Sequence, residues 1–186
     1  MAQEVILGLG NASGMFYHAP KGTALPEGPF AELAEAWKKV GDITSDGITL
    51  TLNRSTEDLK NWANQTKRTI MTDHSESIKA PIMDTTEETM KVIFGENNVQ
   101  ITDSTTDHGK LVNVHISSSE LPKPEAYLFL MKDGDTGIML GCSEGQMAEL
   151  SDTTFSPGSG ITWAASFKGQ GEGWTMIVDD GEKATA

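Results

Sequence analysis

Short stretches of alternating apolar and polar residues run along most of the chain and predict a protein built mainly of β-strands. In residues 47–53, Ile48, Leu50 and Leu52 alternate with polar neighbours, a period of two that is typical of a strand with one buried face. Residues 110–116 repeat this pattern. Further strands are predicted at residues 127–132, 138–142, 147–150, 161–167 and 174–178.

Two short helices are predicted beside these strands. In residues 30–40, apolar side chains recur at three- and four-residue spacing, as on one face of a helix. Residues 85–94 begin with Thr85 and Glu88 at the spacing of a capping box and are followed by Gly95, which favours a helix end. Because neither helix alternates regularly with strands, a doubly wound parallel sheet fits poorly. The expected fold is mainly β: an antiparallel β-barrel or β-sandwich with one or two short flanking α-helices.

The chain has 186 residues, which is the size of one ordinary domain. Residues 1–20 are interpreted as an N-terminal arm or first strand. Residues 21–178 are interpreted as a single β-rich domain, and residues 179–186 as a polar C-terminal tail.

Between the first two long strands, residues 53–68 are predicted to form a long polar loop. Its main apolar side chains are Leu59 and Trp62. A loop longer than an ordinary hairpin connection is usually functional or a linker. Since strands are expected on both sides of it in one sheet, a functional loop is the favoured interpretation.

The charge balance disfavours two classes of partner. The chain has 27 acidic and 14 basic residues, a net charge of −13 at pH 7. Binding to nucleic-acid phosphates and to anionic membranes depends on lysine and arginine, so neither a nucleic-acid-binding surface nor a membrane partner is expected. The single cysteine, Cys142, excludes an intramolecular disulfide, and we expect it to be a small buried apolar group.

The residue patterns give no indication of catalysis. The glycines in residues 8–14 suggest a dinucleotide-binding loop, but residues 15–20 are aromatic and end in proline where that motif needs a helix. His74 and Glu76 share a strand face, yet two ligands without a third are weak evidence for a metal. No catalytic residue, metal site or cofactor is therefore expected. Two alternatives stay open: a carbohydrate-binding β-sandwich module that uses the tryptophans, and a small hydrolase centred on His74 and Glu76.

Four segments of the sequence together resemble the tail tube (major tail) proteins of long-tailed bacteriophages with non-contractile tails. They are the acidic loop and strand at residues 36–50, the polar residues 58–62, the long strand at residues 67–78 and the short helix at residues 85–95. The resemblance implies a structural virion protein whose copies form rings of six, with the rings stacked into a hollow tube for the genome. It also implies partners: further copies of the chain, the tape-measure protein, and the tail-terminator and tail-tip or baseplate proteins. Assembly would take place in the cytoplasm of the bacterial host.

In this family the long loop contributes to ring-to-ring stacking. The resemblance therefore assigns that role to residues of the predicted loop: Thr56, Glu57, Asp58, Leu59, Asn61 and Trp62.

A strand in residues 68–80 would be polar on both faces. A strand that lines a water-filled channel does not need an apolar face. We therefore expect this strand to contribute to the bore of the tube, with Asp73 or Glu76 facing the passing DNA. An acidic wall would repel the phosphates and let the duplex slide without specific binding.

Overall fold

The computed structural model describes residue 8, residues 15–116 and residues 121–182. In this part of the chain it is mainly β, as the alternation in the sequence predicted, with ten strands and one α-helix. The strands are β1 (Phe16–Pro20), β2 (Lys38–Gly41), β3 (Thr49–Lys60), β4 (Thr66–Ile82), β5 (Val99–Thr102), β6 (Leu111–Val114), β7 (Glu125–Asp133), β8 (Thr136–Leu150), β9 (Trp163–Gly169) and β10 (Thr175–Asp179). The helix α1 (Glu87–Phe94) lies between β4 and β5 and is followed by a short 3-10 turn (Glu96–Asn98). The predicted glycine-rich N-terminal arm lies mostly outside the described residues.

Eight of the strands form one antiparallel sheet in the order β2-β1-β7-β8-β9-β4-β3, with β10 also paired to β8. The long strand β8 pairs with β7 along one edge. Its other edge is shared: β10 pairs with its first half, from Gly137 to Gly141, and β9 with its second half, from Gly145 to Leu150. The strands β5 and β6 form a separate two-stranded ribbon.

The chain that leaves β2 connects the start of the sheet with β4. Ile43 and Ile82 form an isolated antiparallel bridge. On either side of it, the Thr44 N–H donates to the Pro81 carbonyl at 2.9 Å and the Met83 N–H donates to the Asp42 carbonyl at 2.8 Å. The end of β2 is thereby held against the end of β4, five places along the strand order.

The sheet carries a hydrophobic cluster on each face. The larger one, which we call the α1 face, is centred on aromatic rings, with Phe16 stacked on Phe129 at 4.4 Å between centroids and edge-on to Phe167 at 5.2 Å. The smaller cluster lies on the opposite face around Leu128 and Met139. Burial of these large side chains is the main favourable contribution to folding.

The helix predicted at residues 30–40 does not form. Residues 31–37 are irregular, and Trp37 packs with Leu33 against the second cluster. The last three residues of the predicted helix belong to β2, because Lys38 to Gly41 pair with β1. The apolar residues of this segment have helical spacing because they pack on the face of the sheet, not because the segment is a helix. Backbone pairing with β1 overrides the weak local helix preference of the last residues.

The helix predicted at residues 85–94 is present as α1. Its N-cap is Thr86 rather than Thr85, because the Thr86 hydroxyl accepts a hydrogen bond from the Thr89 N–H. Gly95 ends the helix with φ 88°, a conformation that favours glycine. Met90 and Ile93 are buried in the α1-face cluster.

The polar loop predicted at residues 53–68 is not a loop. β3 continues to Lys60 and β4 begins at Thr66, and the two strands pair from Thr49 with Lys79 to Lys60 with Thr66. Only residues 61–65 form the turn. Alternation of apolar residues stops at residue 53, but cross-strand hydrogen bonds satisfy the backbone whatever the side chains are, so the strands extend far beyond the apolar pattern.

Candidate assembly surface

Residues 49–76 extend from the sheet as a two-stranded unit, which we call the projecting hairpin. All twelve residues of β3 are exposed. β4 pairs with β9 only from Ser77 onward, so its first eleven residues have β3 as their partner on one side and no partner strand among the described residues on the other. A strand pair with so little cover presents a large surface for association.

The projecting hairpin exposes several large apolar side chains. Leu50 and Leu52 are 42% and 55% exposed, Met71 is 62% exposed, and Trp62 at the turn is fully exposed. Cross-strand pairing places Leu50 beside buried Ile78, so these residues continue the apolar surface of the α1 face beyond the core. Large exposed apolar side chains gathered on one segment favour an interaction surface there.

The six residues assigned to stacking lie together at the far end of the hairpin. Asp58 accepts hydrogen bonds from the hydroxyl of Thr69 at 2.6 Å and from that of Thr66 at 3.2 Å. Asn61 closes the turn, because its side-chain oxygen accepts from the Gln65 N–H at 2.9 Å. These polar contacts fix the turn, on which the Trp62 side chain is fully exposed.

The outer part of the projecting hairpin is basic in an acidic chain. Residues 53–68 contain four basic and two acidic residues, which gives them a net charge of +2. Since the whole chain has a net charge of −13, the remaining residues together carry −15. The basic residues are Arg54, Lys60, Lys67 and Arg68. Opposite charge on the remaining surface favours contact of the hairpin with another copy of the chain.

A second exposed strand edge belongs to β10. Among the described residues β10 pairs only with β8, so the other side of its backbone is open. Met176 and Val178 are 61% and 47% exposed. They pair with Leu140 and Ile138, which places them on the α1 face of the sheet.

The two acidic residues expected in the bore have different surroundings. Asp73 is exposed on β4 opposite Ser55. Glu76 is half-buried, and its carboxylate accepts a hydrogen bond from the Trp174 N–H at 2.6 Å. Asp73 is therefore available to solvent on the free hairpin, whereas Glu76 connects β4 to the turn before β10.

The side chains considered for catalysis are not assembled into a site. Within the described ranges no group of three or more histidine, cysteine, aspartate or glutamate side chains could hold a metal ion. His74 is exposed. Cys142 is buried, as predicted, and burial raises the pKa of its thiol, which disfavours the reactive thiolate. Trp37 and Trp163 are buried in the two clusters, so they provide no sugar-stacking platform.

One polar cluster gave no signal in the sequence. His18 is 8% exposed and lies between two carboxylates, with Nε2 3.1 Å from Glu88 and Nδ1 3.0 Å from Glu125. These partners are 70 and 107 residues away in the chain, so only the fold brings them together. The cluster holds α1 against β1 and β7.

A sequence model of the phage tail tube protein family matches residues 4–162. Comparison with curated proteins gives no match. Among solved structures, a chain from a structure titled "Virion of native gene transfer agent (GTA) particle" is similar at 12% identity with a TM-score of 0.44, over 78% of this chain and 92% of that chain. No helix in the described ranges is both long enough and apolar enough to cross a membrane.

Proposed function

Because the chain belongs to the phage tail tube protein family, a family of structural proteins and not of enzymes, we propose that six copies form a ring. The rings stack into the hollow tube of a virion tail, and the genome passes through it. The observation that carries this proposal is the pair of open strand edges on β10 and on the projecting hairpin, both with exposed apolar side chains on the same face. Association edge to edge would cover them.

Two different edges on one chain favour rings over simple dimers. A contact between unlike surfaces is head-to-tail, and it closes into a ring when the rotation between copies allows. A two-fold dimer would instead require both edges of one copy to pair with the same partner copy. The projecting hairpin is long enough to serve a second contact, since its strands are paired from Leu52 with Glu76 to Lys60 with Thr66.

The turn of the hairpin is proposed to contact the next ring. Trp62 is fully exposed and nearby Leu59 is about half exposed. Large apolar side chains that are surrounded by polar residues are typical of the residues that anchor a protein–protein interface.

For the bore, we propose Asp73 as the residue that faces the DNA. It is exposed, whereas the carboxylate of Glu76 is engaged with the Trp174 backbone. A carboxylate in the wall repels phosphate, so the duplex would pass without binding.

Membership of the family also implies the other partners. They are the tape-measure protein inside the tube and the tail-terminator and tail-tip or baseplate proteins at its ends. Assembly would take place in the host cytoplasm before release of the virion.

Electron microscopy of the concentrated protein in negative stain tests the proposal. We expect rings and hollow tubes of uniform diameter, whose amount rises with protein concentration. Sedimentation at the same concentrations measures the fraction assembled. A chain that remains monomeric at the highest soluble concentration, alone and with the tail-tip proteins as nucleus, would overturn it.

A further inference from the structure

His18 connects α1 with the strands of the sheet. It lies on β1 and pairs with Lys38 of β2 on one side and with Tyr127 of β7 on the other. Its Nε2 is 3.1 Å from Glu88, in the first turn of α1, and its Nδ1 is 3.0 Å from Glu125, at the start of β7. The imidazole ring therefore links the beginning of the helix to the sheet.

The positions of the two carboxylates favour a ring that carries two protons. A neutral imidazole has a proton on one nitrogen only, and its other nitrogen is an acceptor. Because a carboxylate is also an acceptor, that nitrogen and the carboxylate facing it would repel each other. With both nitrogens protonated, the ring donates to Glu88 and to Glu125 in two charge-assisted hydrogen bonds. His18 is only 8% exposed, so little water competes for these bonds.

Charged side chains approach His18 from every element packed against it. They line one cavity and are Lys21 just after β1, Lys38 on β2, Glu88 and Lys91 on α1, Glu96 after the helix, Lys123 before β7 and Glu125 on β7. Lys91 and Lys38 lie 3.4 and 3.9 Å from Oε1 of Glu88, the oxygen that His18 does not use. Lysines stay charged over the pH range in which a histidine titrates, so these two contacts do not change with it. Burial raises the pKa of the Tyr127 hydroxyl, which therefore stays neutral.

We propose that His18 is a pH-sensitive lock: the doubly protonated ring holds the first turn of α1 on the sheet, and loss of one ring proton loosens that turn. The lock stabilises the subunit while the ring is charged, and its contribution is lost as rising pH removes the proton. Other contacts of the helix do not titrate. The hydroxyls of Thr86 and Thr89 donate to the Val40 carbonyl, and Ile93 is buried in the core, so the loosening is local.

The lock belongs to the single subunit and does not depend on the proposed tube. Nitrogen-15 NMR of the unmodified protein tests the charge of the ring directly, because a doubly protonated ring gives two similar nitrogen shifts and a neutral ring gives two widely separated ones. We expect the doubly protonated pattern for His18 at about pH 7, where an exposed histidine is mostly neutral. The exposed His74 and His115 give reference signals in the same sample. A single protonated nitrogen on His18 at that pH would overturn the proposal.

Glu88→Gln tests the link between the charge of the ring and stability. The glutamine amide accepts from a charged ring through its oxygen and donates to a neutral ring through its NH₂ group, so the contact survives loss of the proton. We expect the melting temperature of the unmodified protein, relative to that of Glu88→Gln, to fall by about 4 °C between about pH 6 and 9. A relative melting temperature that stays constant over this range would overturn the lock.

Glu96→Gln is the matched control. Glu96 lines the same cavity and is exposed, but the ring nitrogens of His18 are bonded to Glu88 and Glu125 instead. The melting temperature of the unmodified protein relative to Glu96→Gln should change by no more than about 1 °C over the same pH range. Equal changes relative to both variants would overturn the specific role of Glu88.

Hydrogen exchange of the unmodified protein locates the change. After correction for the intrinsic effect of pH on exchange, the amides of Thr89 and Met90 should lose about tenfold of their protection between about pH 6 and 9. Amides of β8 and β9 should keep theirs. Unchanged protection in the helix, or an equal loss throughout the sheet, would overturn the local loosening of α1.

Discussion

The carboxylate of Glu76 accepts a hydrogen bond from the backbone N–H of Trp174, with 2.6 Å between oxygen and nitrogen. This contact joins strands that are 98 residues apart in the chain. It lies where β4 separates from β9, so it fixes both the base of the projecting hairpin and the start of β10. The glycine-rich turn is needed for it, because the left-handed Gly173 lets the backbone approach the carboxylate.

Glu76→Ala should lower the free energy of unfolding by about 1–3 kcal/mol, because it leaves a partly buried N–H without its charged acceptor. Glu76→Gln keeps an acceptor oxygen and should cost less. Urea unfolding of the monomer measures both. Asp73→Ala, an exposed carboxylate three residues away, is the control and should change stability by no more than about 0.5 kcal/mol. Equal effects of Ala at positions 73 and 76 would contradict the structural role of Glu76.

Trp62→Ala should leave the melting temperature of the subunit nearly unchanged and impair tube growth. The side chain is fully exposed, so its removal loses no packing in the monomer. Trp163→Ala is the matched control. Trp163 is 7% exposed and packs edge-on against Phe94 at 5.9 Å, so its loss should destabilise the monomer by about 3–5 kcal/mol. Thermal unfolding and sedimentation separate the two effects, and normal tube growth with Trp62→Ala would remove the tip from the stacking contact.

Ile93→Ala should destabilise the subunit by about 2–5 kcal/mol, because the side chain is 2% exposed in the α1-face cluster. Phe94 is only half-buried, so Phe94→Ala should fall below the cost of a fully buried aromatic residue. Chemical denaturation measures the free energy of unfolding of both variants and shows which loses more. A neutral Ile93→Ala would mean that α1 is peripheral to the core.

The ion pairs on α1 predict a specific pH dependence. Hydrogen bonds from Lys110 and Lys91 lower the pKa of Glu87 from 4.5 to about 2. A carboxyl group whose pKa is lowered by folding stabilises the native state above its unfolded pKa and loses that effect as pH falls. Glu87→Gln should therefore melt below the unmodified protein at pH 7, and the difference should disappear between pH 4.5 and about 2. A difference that stays constant down to pH 2 would contradict this assignment.

Sequence patterns predicted those strands and helices in which apolar and polar side chains alternate according to their burial. The alternation at residues 47–53 located the start of β3, and the capping signals located α1 to within two residues. The second half of β3 was missed because its residues are exposed on both faces and leave no periodicity to detect. The wrong helix at residues 30–40 arose because Leu33 and Trp37 pack on a sheet that only the whole fold provides.

The candidate assembly surface was harder to predict than the fold. Trp62 could be placed in the polar segment from the sequence, but its complete exposure depends on a hairpin that no local signal indicated. The contacts of Glu76 and His18 join residues about 70 to 110 positions apart. Such contacts follow from strand order and not from spacing along the chain.

Asp73→Lys should leave the shape of the tubes unchanged and slow the passage of DNA through them. The residue is exposed on the hairpin, so the subunit should fold and assemble as before. In a ring the substitution repeats in every copy, and a circle of ammonium groups would bind the phosphates that the carboxylates repel. Ejection kinetics from virions carrying the variant measure the effect, and raised salt should partly restore the rate because it screens the new attraction. Asp107→Lys, which reverses an exposed charge beside β6, is the control and should leave the rate of DNA ejection unchanged. If Asp73→Lys and Asp107→Lys give the same ejection rate, in tubes of normal shape, Asp73 lies outside the bore.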